Sequence, residues 1–83
     1  MAQLTWEYNY WLDLWEGRNS WGQLVYFVGY EEGYGWSWLL CWRYKTHKTG
    51  FASREDAVAS AEEDYQLLRE RTATGCRRKY YNI

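Results

Sequence analysis

The sequence predicts an α+β fold in which a three-stranded antiparallel meander is covered on one face by a single C-terminal helix, in the order β-β-β-α. Apolar residues alternate with a period of two through the first half of the chain, and with a period of three and four in the second half. The 83 residues fit one domain with a modest core. We therefore expect a single domain over residues 1–73 and a basic, aromatic tail over residues 74–83.

Alternation of large side chains predicts strands over residues 4–15, 23–30 and 36–44. Turn-forming residues at 16–20 separate the first two strands, and Glu31-Glu32-Gly33-Tyr34-Gly35 closes a hairpin between the second and the third. No proline interrupts any of these runs. Three strands in meander order follow from this spacing, with residues 45–50 as the loop that leads to the helix.

The predicted helix begins after Ser53, which can cap it, and Asp56 stands three positions later as in a capping box. From there to about residue 72 the chain contains neither Gly nor Pro. The residues expected to face the sheet recur at helical spacing: Ala57, Val58, Ala61, Tyr65 and Leu68. Because two of these are alanines, the helix can approach a face of large rings closely.

The even-numbered face of the sheet carries the larger rings, so we expect the helix to cover that face. The odd-numbered face then has no element to cover it, and mixed apolar and polar residues on an open face indicate an interface. Its expected anchors are Trp11, Trp15, Phe27 and Leu39. This assignment depends on strand parity, because a β-bulge exchanges the two faces beyond it.

Composition favours binding over other functions. Seven Trp, nine Tyr and two Phe exceed what one small core can bury, and exposed aromatic side chains are typical of binding surfaces. The net charge of −1 gives no general case for a nucleic-acid binder. Two cysteines form no disulfide framework, and there is neither a signal-peptide pattern nor a run of about 18 apolar residues. We expect an unexported, cytoplasmic protein without membrane contact.

Catalysis and cofactor binding are not predicted. The single histidine, His47, stands in a Lys- and Thr-rich segment with no nucleophile at a motif spacing. Cys41 and Cys76 are far apart and match no metal-ligand pattern, although the bases beside Cys76 would lower a thiol pKa. We therefore predict a protein that is not an enzyme, with neither a metal nor a cofactor.

Charged residues form local blocks that allow two interpretations. Glu55, Glu62 and Glu63 make the helix acidic, which fits either a solvated face or an imitation of nucleic-acid phosphates. The basic residues favour an alternative function, a small nucleic-acid-binding module in which a loop and the tail contact phosphates and a tyrosine stacks on bases. Its residues would be Arg43, Lys45, Lys48, Arg77, Arg78, Lys79 and Tyr80.

The segment Gly-Phe-Ala-Ser-Arg-Glu-Asp-Ala at 50–57, followed by Ala-Glu-Glu-Asp-Tyr at 61–65, resembles small proteins encoded by bacteriophages and mobile elements. In those proteins an aromatic three-stranded sheet precedes a helix that begins with a similar motif. The likeness covers about residues 22–68. It implies a cytoplasmic accessory protein that acts on host machinery, for which anti-CRISPR proteins are a well-populated class.

The leading hypothesis is a non-catalytic phage or mobile-element protein that binds and sterically blocks a host protein or ribonucleoprotein complex, most concretely as an anti-CRISPR inhibitor. The four aromatic and aliphatic anchors would contact the partner, and Glu55, Glu62 and Glu63 would pair with a basic channel. A homodimer through the open face is compatible with this function.

Overall fold

The computed structural model describes residues 4–41 and 46–73, with side chains described as far as residue 70. Within these residues one antiparallel sheet contains five strands in the order β1-β2-β3-β4-β5, and a single helix follows. The elements are β1 (Thr5–Asn9), β2 (Leu14–Arg18), β3 (Leu24–Glu31), β4 (Gly35–Leu40), β5 (His47–Phe51) and α1 (Arg54–Ala73). The α+β class and the C-terminal helix agree with the sequence prediction, but the three-stranded sheet is wrong. The predicted tail, residues 74–83, lies outside the described residues.

The first correction concerns residues 4–15, which form a hairpin instead of one long strand. Asn9 Oδ1 accepts hydrogen bonds from the backbone N–H groups of Trp11 and Leu12, at 3.0 and 3.2 Å. Asp13 adopts a left-handed backbone conformation with φ of 57°, which Asp tolerates better than most residues. Its carboxylate also accepts a hydrogen bond from the Tyr8 hydroxyl at 2.6 Å. Together these contacts reverse the chain between β1 and β2.

This turn exchanges the sheet faces of odd and even residues. Tyr8 of β1 is opposite Trp15 of β2, and Trp15 is opposite Val28 of β3. Side chains on directly opposed residues share a face, so even-numbered residues of β1 and β3 lie on the same side as odd-numbered residues of β2. A β-bulge where Gly17 pairs with Tyr26 and Arg18 with Leu24 then shifts the register at the start of β3. The sequence-based face assignment is therefore wrong for β2.

The second correction concerns β5, which the sequence analysis treated as a loop. It pairs with β4, with Trp38 opposite Lys48 and Leu39 opposite His47. All its residues except Phe51 are exposed. Edge strands are often polar and carry lysine, because one row of their backbone groups faces water. The sequence of such a strand therefore looks like that of a loop.

The helix begins as predicted. Ser53 Oγ accepts a hydrogen bond from the Asp56 backbone N–H at 3.1 Å, so Ser53 is the N-cap. Ala57 and Ala61 are completely buried, and Tyr65 is almost completely buried. These residues pack on Tyr26 and Trp38, whose rings meet edge to face at 5.4 Å. The small helix residues therefore pack closely on large rings in the core, as the sequence predicted.

Among the side chains described, three hydrogen bonds connect rings of the sheet to polar residues of α1. Tyr26 Oη donates to Asp64 Oδ2 at 2.6 Å, and Trp38 Nε1 donates to Ser60 Oγ at 2.9 Å. The third bond, from Trp6 to Glu62, belongs to the candidate site. Burial, and then the bond to Asp64, raise the pKa of Tyr26 well above the ordinary tyrosine value. Polar side chains of α1 thus bind the rings of the sheet and help to position the helix on it.

Candidate partner-binding surface

The helix covers only part of the sheet. It packs on β3, β4 and β5, whereas no Cα atom of β1 or β2 comes within 8 Å of a Cα atom of α1. The β1–β2 hairpin therefore extends beyond the helix, and its helix-side face carries Trp6, Tyr8 and Trp15. Trp6 and Trp15 are half-buried and Tyr8 is exposed. Large rings stand here at the boundary between the core and solvent.

The Trp6 ring lies over Gly17 of β2, which is the residue opposite it. A Cβ atom on Gly17 would come within 2.7 Å of the Trp6 ring. The absence of that atom lets the indole lie against the backbone and extend toward the helix. There the indole N–H donates to Glu62 Oε2 at 3.0 Å. Gly17 and Glu62 together determine the orientation of Trp6.

A groove of about 420 Å³ lies between the hairpin and the helix. One wall consists of the Trp6 and Trp15 rings, and the other is the flank of α1. The helix contributes two apolar side chains and three charged ones to this groove: Arg54, Glu55, Val58, Ala59 and Glu62. The site is therefore an aromatic slot with a charged rim, open to solvent.

The Arg54 guanidinium closes one end of the groove. Its Cζ atom lies 4.2 Å from the centroid of the Trp15 ring, and its Nη2 is 2.8 Å from Glu55 Oε2. A guanidinium on the face of an indole is a favourable cation–π arrangement. The hydrogen bond from Arg54 holds the pKa of Glu55 below its ordinary value. Glu55 is consequently ionised throughout the neutral range.

Beyond the groove the rings continue along the hairpin to its tip. Tyr8 contacts Trp15 at 5.3 Å and Tyr10 at 6.5 Å between ring centroids, and Tyr10 stacks on Trp11 at 5.8 Å. Tyr10 and Trp11 are 73% and 87% exposed, so this contiguous apolar surface faces water. We call the set Trp6, Tyr8, Tyr10, Trp11 and Trp15 the aromatic edge. All of these rings except that of Trp6 form one chain of ring contacts, and rings in contact at the surface are typical of a binding site.

The opposite face of the sheet has a different character. Phe27 and Leu39 are directly opposed and half-buried. Toward β1, Glu16 accepts hydrogen bonds from Asn9 and Arg18, at 2.9 and 3.0 Å. These two bonds, that of Asn9 first, hold the pKa of Glu16 below its ordinary value.

Cys41 adjoins this face, where burial and then the charge of Glu16 raise the pKa of its thiol to about 11. A thiol with this pKa is protonated at neutral pH and is a weak nucleophile.

The structure divides the predicted partner-binding residues between two surfaces. Glu55, Glu62 and Trp15 line the groove, and Trp11 lies at the far end of the aromatic edge. Trp15 was expected beside Phe27 and Leu39, but the turn at 10–13 brings it to the helix side instead. Phe27 and Leu39 remain together on the opposite face, and Glu63 is exposed on the helix.

Of the residues predicted for the alternative nucleic-acid site, the structure describes Lys48. Lys48 is exposed on β5, opposite Trp38. The other members lie outside the described residues: Arg43, Lys45, Arg77, Arg78, Lys79 and Tyr80.

Within residues 4–41 and 46–73 there is no group of three or more His, Cys, Asp or Glu residues that could hold a metal ion. His47 is exposed on β5. No helix in this part of the chain is long and apolar enough to cross a membrane.

Sequence reasoning missed several contributors to the site. They include Trp6 and Tyr8 of β1, Tyr10 at the hairpin tip, Gly17 beneath Trp6, and Arg54 on Trp15. The available signal was the pair Asn9 and Asp13, two turn-forming residues four positions apart inside an otherwise alternating run. A turn there would have predicted an aromatic hairpin. No family model matches the sequence, and neither a curated protein nor a solved structure is found to match it significantly.

Proposed function

We propose that this protein is a non-catalytic binding module that engages a protein partner through the aromatic edge and the adjoining groove. Steric inhibition of a host complex, in the manner of an anti-CRISPR protein, is the most concrete form of this function. That concrete form rests on the sequence resemblance of residues 50–65. The binding function itself rests on the geometry of the hairpin.

The observation that carries the proposal is the contact chain of rings from half-buried Trp15 to Trp11, which is 87% exposed. Contiguous exposed rings promote aggregation unless a partner covers them, and aromatic residues dominate the binding energy of protein interfaces. Tyr8 and Trp15 lie on paired strands of the sheet, so these two rings of the edge are positioned before binding. Preorganised rings lose little conformational entropy on association.

Charge favours a protein over a polyanion at this surface. Glu55 and Glu62 line the groove, and Asp13 lies in the hairpin turn beside Tyr8. A nucleic-acid backbone would bring phosphates close to these carboxylates, which is unfavourable. A protein surface with basic and apolar groups complements the same arrangement.

The test is an affinity capture from a nuclease-treated lysate of a bacterial host, with bound proteins identified by mass spectrometry. Trp11→Ala should abolish specific capture, because Trp11 is the most exposed ring of the edge. Trp21→Ala is the matched control, since Trp21 is 69% exposed but lies on the β2–β3 loop. Both variants should retain the circular-dichroism spectrum of the wild type.

Capture that survives Trp11→Ala and is lost with Phe27→Ser would move the interface to the opposite face of the sheet. Equal losses with Trp11→Ala and Trp21→Ala would indicate nonspecific adsorption to exposed indoles. Recovery of nucleic acid from the untreated lysate, with all proteins lost after nuclease, would favour the alternative nucleic-acid module.

A further inference from the structure

We propose that the groove binds an arginine side chain of the partner, an inference that rests on the proposed function and adds the chemistry of the contact. The groove offers three components in one place: two indoles, apolar side chains of α1, and two carboxylates beside one guanidinium. Each component matches one part of an arginine side chain.

The first component is an indole surface that already holds a guanidinium. Arg54 lies over Trp15 with its Cζ atom 4.2 Å from the ring centroid. Its side chain is 34% exposed, so this guanidinium is accessible to solvent rather than locked in the core. Trp6 stands on the same wall of the groove. A second planar cation can stack there in the same way.

The second component is negative charge. Glu55 is paired with Arg54 at 2.8 Å, whereas Glu62 accepts only the neutral Trp6 N–H, and no Lys or Arg nitrogen of residues 4–41 or 46–70 lies within 4.0 Å of its carboxylate. The groove thus holds two carboxylates and one guanidinium. A guanidinium of the partner would balance Glu62, with two N–H groups available to its oxygens.

The third component is a floor that suits an alkyl chain. Val58 and Ala59 line the groove between the charged residues of α1. Arginine buries its methylene stem on apolar surface while its head reaches a polar group. The volume of about 420 Å³ is at the small end of ligand sites, which fits one side chain with its backbone outside.

Arginine fits better than the other candidate side chains. An anionic side chain would face Glu55 and Glu62. A lysine would balance the charge, but its ammonium is not planar and cannot stack on an indole as Arg54 does. The indole faces therefore select for a guanidinium.

The direct test is a titration of the ¹⁵N-labelled protein with N-acetylarginine amide at constant ionic strength. N-acetylcitrulline amide, which has nearly the same shape and no charge, is the matched control ligand. The indole N–H signals of Trp6 and Trp15 should shift saturably with the arginine compound only. The signal of Trp21, on the β2–β3 loop, should remain unchanged and acts as an internal reference.

Two variants should change the affinity for the arginine amide in opposite directions, and a third is a control. Glu62→Gln should weaken arginine-amide binding about three- to fivefold, because it removes the charge while its carbonyl still accepts the Trp6 N–H. Glu63→Gln removes the same charge from the next, exposed position and should change affinity less than about 1.5-fold. Arg54→Ala should tighten binding, because it uncovers Trp15 and releases Glu55.

Equal shifts with the citrulline compound, equal losses in Glu62→Gln and Glu63→Gln, or weaker binding by Arg54→Ala would each overturn the inference. Partner capture that depends on Trp11 without any arginine-amide binding would refute this inference alone. Arginine-amide binding with partner capture unaffected by Trp11→Ala would refute the proposed aromatic-edge function alone.

Discussion

Tyr26 of β3 and Trp38 of β4 lie beneath the helix, whereas the large rings of the β1–β2 hairpin lie beside it. Tyr26 and Trp38 are almost completely buried, and their polar atoms bond to α1. Tyr10 and Trp11 have the same chemistry but remain exposed at the hairpin tip. The position of one helix therefore decides whether an aromatic residue stabilises the fold or is available to a partner.

The β1–β2 hairpin is joined to β3 by the sheet, but it contacts the helix through side chains alone. Trp6 reaches Glu62, and Trp15 contacts Arg54, across a gap that no backbone contact closes. Because these contacts between the hairpin and the helix are few and partly exposed, we expect that exposed hairpin residues can be substituted without unfolding the core. Mutations on the two sides of this gap should have separable effects on stability and on binding.

The largest difference should come from truncating one tryptophan in the core and one in the hairpin. Trp38→Ala should reduce the free energy of unfolding by about 3–5 kcal/mol, because Trp38 is almost fully buried against Tyr26. Trp11→Ala should change it by less than about 0.5 kcal/mol, since that ring is mostly in water. Urea unfolding followed by circular dichroism measures both. Similar losses in the two variants would contradict the division into a core and an aromatic edge.

The next effect should appear where the hairpin meets the helix. Gly17→Val should displace the Trp6 ring, reduce stability by about 1–3 kcal/mol and abolish binding at the groove. Gly29→Ala is the matched change on the opposite face, where the added Cβ would meet Leu14 Cδ2. It should also reduce stability but leave the Trp6 indole N–H signal unchanged. An equal shift of the Trp6 signal in both variants would show that the orientation of Trp6 in the groove depends on the opposite face of the sheet as much as on Gly17.

A smaller effect should come from the bond between Tyr26 and Asp64. Tyr26→Phe should cost about 1–1.5 kcal/mol at neutral pH. Because folding raises the pKa of Tyr26, the contribution of its neutral hydroxyl is complete below the unfolded value of 10.0 and is lost as the pH rises above it. The wild type should therefore lose more stability than Tyr26→Phe between pH 9 and pH 11 in thermal unfolding. Parallel curves over that range would contradict this role of Tyr26.

The smallest effect should come from Glu16, on the sheet face opposite the helix. Its pKa is lowered in the fold, so its contribution is present above the unfolded value of 4.5 and is lost as the pH falls below it. The contribution should be about 0.5 kcal/mol, as for other solvent-accessible pairs. Glu16→Gln should accordingly be slightly less stable than the wild type at pH 7, and the difference should shrink as the pH falls below 4.5. A difference that stays constant as the pH falls below 4.5 would indicate a packing effect instead.

The sequence analysis named four residues of the surface that we propose as the interface. Trp11, Trp15, Glu55 and Glu62 were expected at an interface, and all four lie along the aromatic edge or in the groove. Phe27 and Leu39 were expected with them but lie on the other face of the sheet. Their grouping failed because one four-residue turn changed the parity of β2, and alternation alone does not reveal such a turn when its own residues are aromatic.

The sequence by itself determined the elements that depend on neighbouring residues: the Ser53 cap, the extent of α1, the hairpin between β3 and β4, and the small residues that face the rings. Capping, helical periodicity and tight turns are local interactions, so they can be read from a short window. Only the tertiary structure decided the break after Asn9, the pairing of polar β5 and the partial coverage of the sheet. These depend on which distant groups compensate each other, as when Gly17 gives space to Trp6 and Glu62 bonds to its indole.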